Sequence, residues 1–247
     1  MKRFRTNSPT TALRLRSQAA LVVLASAALI LAWFKIRPGA AEQVWHEAVN
    51  QVNSKIVWSN LPRQVSKLDK NGNGVNDTDD IIEGARQEAR RKPVYKSAYY
   101  IGGYPPETEG VCTDVIWRAL KHAGYDLKAM IDADIKAHTS SYPRTGGKPD
   151  RHIDFRRVPN QRVFFKRHGL NLTTELKPGN YDNLIQWQPG DIVTFQEPDH
   201  IAVISTKRNA QGVPYLIHND GPWASEGDDF PFWAERGITG HFRFPKN

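Results

Sequence analysis

The chain has 247 residues, 39% hydrophobic and 10% aromatic, enough for one ordinary domain core plus a tail. Its formal charge is +8, but residues 1–40 carry seven basic residues and no acidic one, leaving +1 for residues 41–247. The basic excess therefore reads as a targeting signal and not as a nucleic-acid footprint, and the single cysteine, Cys112, excludes an internal disulfide or a cysteine-rich metal site.

Lys2, Arg3, Arg5, Arg14 and Arg16 precede an uncharged run from Ser17 to Phe34. That run exceeds a secretory apolar region of about 7–15 residues and sits near the lower limit, roughly 17, for a membrane span. The basic flank puts the N-terminus in the cytoplasm and the rest outside. The expectation is an uncleaved transmembrane helix in the cytoplasmic (inner) membrane, with the domain periplasmic or extracellular. Gly39-Ala40-Ala41 offers the alternative of a cleaved signal and a secreted protein.

Three regions are expected: a tail and anchor over 1–40, a helical segment over 41–94, and a domain over 95–247 with a basic insertion at 138–168. Val44, Ala48 and Val52 predict a helix over Ala41–Ile56. A loop with Asp69, Asn71, Asn73, Gly74, Val75, Asp77 and Asp80 follows. Its side chains fall on ligand positions 1, 3, 5, 9 and 12 of a calcium loop, with a backbone carbonyl from Val75 and the sharp turn at Gly74. The spacing favours a structural calcium ion over an Asx-rich turn; the loop also resembles dockerin calcium loops. A helix over Ile81–Arg91 comes next, then a Tyr/Gly/Pro-rich loop over Ser97–Gly110.

Cys112–Ala123 is expected to be a helix stopped by Gly124. Cys112, Ile116, Ala119, Leu120 and Ala123 share one face, so the thiol points toward the edge of the core. The last third is β-rich: Asp191–Phe195, His200–Ser205, a turn at Asn209–Gly212, Tyr215–Asn219 and Gly240–Phe244. Helices first and an antiparallel meander after them imply an α+β fold.

A catalytic thiol needs a lowered pKa, which a helix N-terminus can supply. His200 opens a strand, with its side chain on the face of Ala202 and Ile204, and His218 closes the next strand. Neighbouring antiparallel strands bring the two histidines together. His200 would take the thiol proton, while His218 or Asn219 orients the imidazole. No cofactor is needed for that chemistry.

These residues lie in segments that resemble NlpC-type cell-wall peptidases, which are compact papain-like cysteine hydrolases. Tyr99 through Ile116 is similar to their Tyr-x-x-Gly-Gly…Asp-Cys-Ser-Gly-Phe-Val pattern. Gln188 through Phe195 resembles their Pro-Gly-Asp strand, Asp199 through Ile204 their histidine strand, and Leu216 through Asn219 the strand of the third catalytic residue. More narrowly, Gly110 through Ala119 and His152 through Asn160 look like a bacterial family labelled only as a domain of unknown function.

The resemblance implies a papain-like fold with Cys112 as nucleophile, His200 as base and His218 as orienting residue, Asn219 being the rival. It also implies a tyrosine beside the site, Tyr99 (or Tyr100 or Tyr104, because the loop is longer here), and the Cys112 backbone N–H as an oxyanion donor. Val111 and Thr113 depart from the usual flanking Asp and Ser. The implied reaction is hydrolysis of a peptidoglycan stem-peptide amide. The basic insertion (Arg144, Lys148, Arg151, Arg156, Arg157, Arg162, Lys166 and Arg167) could dock substrate carboxylates, although most of these residues read as a solvated basic face. Arg156 and Arg157 are singled out because both cannot lie on one strand face, so one must point inward. Trp223 could line the cleft or equally be a core tryptophan. An acyltransferase on the same fold and a non-enzymatic wall-binding module are the competing readings; the membrane and a peptide substrate are the expected partners.

Overall fold

The computed structural model describes residue 58 and residues 61–246. The basic segment, the apolar run 17–34, the cleavage-like residues 39–41 and the expected helix 41–56 lie outside the described residues. Among the described residues no helix is long and apolar enough to cross a membrane.

Helix α1, Asp77–Arg91, begins four residues earlier than Ile81. Asn76 is the reason: it stands extended at the N-cap, and its side chain accepts the Asp79 N–H. Asp77, Asp79 and Asp80 fill the first turn and Arg90 and Arg91 the last, which suits the helix dipole at both ends. Two short strands pair in parallel, β1 (Val94–Tyr95) with β2 (Glu109–Gly110). Helix α2, Cys112–His122, follows directly.

The end of α2 is a Schellman turn. Gly124 adopts φ +88°, its N–H reaches Lys121 O at 3.0 Å, and the Tyr125 N–H reaches Leu120 O at 2.9 Å. A Cβ at Gly124 would stand 3.0 Å from Asn71, so this glycine also admits the 69–80 loop against α2. Helix α3 spans Leu127–Ala137. The basic insertion, rich in turn formers, begins with three short 3₁₀ turns and ends in helix α4, Val158–His168. Pro159 in its first turn and the buried Phe164 and Phe165 account for that helix.

The short strand β3 (Leu170–Asn171) and the four-residue helix α5 (Tyr181–Leu184) lead to β4 (Ile192–Phe195), β5 (His200–Arg208), β6 (Pro214–His218), β7 (Ser225–Gly227), helix α6 (Phe230–Ala234) and β8 (Ile238–Arg243). The six strands order β3-β8-β4-β5-β6-β7, every neighbouring pair antiparallel. The mixed α+β class is as expected. The sheet is a meander only from β4 to β7, because β8 crosses back to pair with β4. Asp191 holds that return in place: its carboxylate meets His241 Nε2 at 2.9 Å and Arg243 Nε at 2.7 Å, and accepts the Gln188 N–H at 3.0 Å.

Alternation along the strands builds a core on each face. Ile192, Ile201, Val203 and Ile217 pack with the α1–α4 helices. Val193, Ala202, Ile204 and Leu216 pack with Trp187, Phe230 and Trp233 on the other face.

The start of α2 is fixed by a buried ion pair. Asp114 accepts the Val111 N–H at 2.8 Å and the Trp117 indole N–H at 2.8 Å. Arg156 donates to both Asp114 oxygens, at 2.7 and 2.8 Å, and to Ala98 O at 2.8 Å. Both side chains are buried. Removing one partner strands the other charge away from water, so Arg156→Ala should cost roughly 3–5 kcal/mol of folding stability in chemical denaturation. A loss below about 1 kcal/mol, the range of an exposed pair, would show that this pair does not hold the helix start.

Candidate functional site

The first residue of α2 and the first residue of β5 carry the two groups expected to react. Cys112 is buried, and the N–H groups of Ile201, Thr113 and Cys112 itself face its sulfur. Ile201 is the next residue after His200, so the thiol stands against the backbone that carries the histidine.

The thiol does not have the lowered pKa expected from a helix N-terminus. Burial is the largest influence and pushes it up to about 12; the Ile201 N–H opposes this, and the charge of Asp114 adds to it. The helix end is outweighed because desolvation penalises the thiolate more than three N–H groups favour it.

The two histidines meet as expected. His200 Nε2 lies 2.7 Å from His218 Nδ1, and both rings are buried. Burial, then the neighbouring His218, hold the His200 pKa well below its ordinary value, so this imidazole is neutral. The Trp233 indole stacks on it at 4.0 Å and 12°.

A fourth member was not legible in the sequence. His218 Nε2 lies 3.2 Å from Asp229 Oδ2. The hydrogen bond from His218 lowers the Asp229 pKa, so the carboxylate is ionised and can only accept. His218 Nε2 therefore carries a proton and donates it to Asp229, while the other ring nitrogen meets His200 Nε2. His200 Nδ1 makes no hydrogen bond among the described residues. Gly227 makes room for this arrangement: a Cβ there would stand 2.2 Å from Asp229 Oδ2.

The other candidates divide. Asn219 is buried but committed elsewhere, donating to Pro93 O at 3.1 Å and Gly110 O at 3.2 Å, so it staples the loop before Cys112 and does not touch His200. Tyr99 is half exposed with its hydroxyl on Asp150 at 3.1 Å. Tyr100 donates to Glu109 at 2.6 Å, and Tyr104 packs on Trp117 and Phe155. The tyrosine that feels the thiol is Tyr95 on β1. Its pKa is raised by burial first, then by the charges of Cys112 and Asp220. No family pattern marks Tyr95, since it lies four residues before the tyrosine that the pattern selects. Trp223 is half exposed beside that strand, bridged to Val94, with Lys92 Nζ 5.6 Å from its ring centre.

Arg156 is the inward arginine of its pair, but Asp114 and Ala98 O saturate it. Arg157 meets Asp154 at 2.9 Å and the Arg144 carbonyl. In the 69–80 loop, Asn71 and Asn73 converge on Asp80 at 2.7 and 3.1 Å, while Asp69 accepts the Asn73 and Gly74 N–H groups. Asp77 turns away, to the Lys70 N–H at 2.7 Å and the Tyr125 hydroxyl, and Val75 is exposed. Among the described residues no group of three or more His, Cys, Asp or Glu side chains is arranged to hold a metal ion. A cavity of about 940 Å³ lies on the far side of α2 against Arg118 and Lys121, and neither Cys112 nor His200 lines it.

A protonated resting thiol predicts slow alkylation. At pH 7 Cys112 should react with iodoacetamide no faster than a free cysteine, and the rate should climb as pH rises above 9. A fast reaction that is already flat below pH 7 would mean a preformed thiolate.

A family model described as "Domain of unknown function (DUF1287)" matches residues 82–244. The Escherichia coli (strain K12) protein "Uncharacterized protein YijF" is 36% identical over 173 residues, covering 66% of this chain and 80% of that protein. The family match begins after Asp80 and includes Cys112, His200, His218 and Asp229.

Proposed function

The chain belongs to the family described as Domain of unknown function (DUF1287), and we propose that it is a cysteine hydrolase of papain-like, NlpC-like plan that cleaves amide bonds in peptidoglycan stem peptides outside the cytoplasmic membrane. The observation that carries this reading is the row His200–His218–Asp229, which begins one residue before Ile201, whose N–H faces the Cys112 sulfur. An ordinary buried histidine pair needs no carboxylate behind it and no glycine cleared to admit one.

In this reaction His200 takes the thiol proton as the sulfur attacks the scissile carbonyl carbon. The carbonyl π electrons move to the oxygen, and the N–H groups at the start of α2 stabilise that charge. The new imidazolium gives its proton to the leaving amine as the C–N bond breaks, leaving a thioester on Cys112. Water then attacks the thioester, with His200 taking its proton and returning one to the sulfur. His218 and Asp229 orient His200 and spread its transient positive charge; Tyr95 is a tyrosine that feels the charge of Cys112. No hydrogen bond joins the thiol to His200 among the described residues, which accords with catalytic contacts that tighten only on substrate binding. The basic N-terminus followed by an apolar run supports export, and a cell-wall substrate suits an exported domain.

The test is to incubate the purified protein with muropeptides and read the products by mass. Wild type should release a stem-peptide fragment, Cys112→Ala none, and Asp229→Asn should lose on the order of 10²–10⁴ in kcat by freeing the histidine row. Intact muropeptides after incubation with wild type would remove the hydrolase reading.

The calcium ion is part of this proposal. Asp69, Asn71, Asn73 and Asp80 are the side chains to hold it, with the Val75 carbonyl, while Asp77 faces Tyr125. The ion would supply no chemistry to the reaction. Asn71 also donates to His122 O at 2.9 Å, so an ordered loop braces the end of α2. Calcium at about 100 times its Kd stabilises by ~2.7 kcal/mol. EDTA should then lower the Tm by roughly 5–10 °C, reversibly on adding calcium; an unchanged Tm rejects the ion.

A further inference from the structure

A cavity of about 390 Å³ opens beside the reacting residues. Its wall includes Val111 and Asp199, the residues that immediately precede Cys112 and His200. Consecutive Cα atoms are about 3.8 Å apart, so a group lying in the cavity is within one or two residues' length of the thiol. Arg144 and Arg157 supply its charge, and Val158 and Pro159 an apolar side.

The charges around the cavity pair off, with one left over. Arg156 is saturated by Asp114, Arg157 meets Asp154 at 2.9 Å, and Asp199 lies 3.8 Å from Arg162. The Arg144 guanidinium has no hydrogen-bond or ion-pair partner among the described residues. Its backbone, by contrast, is held on both sides: the N–H donates to Asn160 at 3.2 Å and the carbonyl accepts from Arg157. An exposed, uncommitted guanidinium on a fixed backbone, at the wall of a cleft next to the nucleophile, is a ready carboxylate anchor, because its planar fork matches two carboxylate oxygens.

We propose that Arg144 is a specificity-determining residue that selects substrates bearing a free carboxylate within one or two residues of the scissile amide, and that this cavity seats the acidic residue. The inference rests on the hydrolase reading of Cys112 and His200. It differs from the expectation that Arg156 and Arg157 dock the substrate: their guanidinium groups are occupied in holding the fold.

The experiment separates binding from cleavage. Titrate the full-length Cys112→Ala protein with muropeptides from purified peptidoglycan, and with the same muropeptides after carbodiimide amidation of their carboxylates. The native form should bind roughly 10- to 100-fold more tightly than the amidated form, the range of a lost charged hydrogen bond. The same ratio should fall to near one when Arg144→Gln is added and be partly kept by Arg144→Lys, with the Tm of each protein showing that it folds. A ratio near one in Cys112→Ala, no binding of either form, or a ratio that survives Arg144→Gln overturns the proposal. If Cys112→Ala discriminates while wild type cleaves nothing, the anchor stands and the hydrolase reading fails. If wild type cleaves while Cys112→Ala does not discriminate, the hydrolase stands and the anchor fails.

Discussion

The buried pair between Asp114 and Arg156 is the constraint from which much of the site follows. Asp114 reaches back to the Val111 N–H, so it fixes where α2 begins and hence where Cys112 stands. Arg156 brings the Ala98 carbonyl and the insertion to the same point. Three segments distant in sequence are thus joined at the helix N-terminus by one carboxylate. The same carboxylate helps keep the nearby thiol protonated, since its charge opposes a second negative charge on sulfur. Structure and chemistry are therefore coupled: the residue that positions the proposed nucleophile also raises the cost of ionising it.

That coupling explains where the sequence was readable and where it was not. Short-range patterns were readable. Gly124 stops α2 as its position predicts, and His200 and His218 meet because alternate residues on paired strands share a face. Four of the six sheet strands were placed within a few residues for the same reason, while the short β3 and β7 were not expected. What escaped depends on partners far apart in the chain. Helix α4 was not expected within the basic insertion, although Phe164 and Phe165 supply its buried face. Strand β8 returns to β4 through Asp191, His241 and Arg243, and no local pattern announces such a triad. Asp229 follows Asp228 in a polar stretch with no distinguishing spacing; only the fold shows which of the two reaches His218. The lowered pKa expected for Cys112 failed because a helix-end argument counts N–H groups but not the depth at which the sulfur is buried.

Arg156 and Arg157 show the limit from another side. Sequence parity required one of the two to face inward, and one does. It could not say whether the inward partner was substrate or protein. Burial decides: a guanidinium held by a carboxylate and a carbonyl has little left to offer a ligand, whereas Arg144, one of several basic residues of the insertion in sequence, keeps its fork free.

The resting state bears on how the proposed reaction proceeds. In a thiolate–imidazolium pair the nucleophile is charged before substrate arrives. Here burial disfavours both charges, lifting the thiol to about 12 and holding His200 below its ordinary pKa. Moving the proton ahead of attack would place two opposite charges in a dry site, each penalised by desolvation. The lower path keeps proton transfer and sulfur attack together, so that the negative charge passes to the carbonyl oxygen as it forms and never rests on sulfur. The positive charge needs an outlet as well. His218 offers one through its hydrogen bond with His200 Nε2, and Asp229, ionised and partly open to water, stabilises the row from its far end. On this account Asp229 acts only when His200 is charged, and the buried pair remains neutral until a substrate carbonyl is present to receive the electrons.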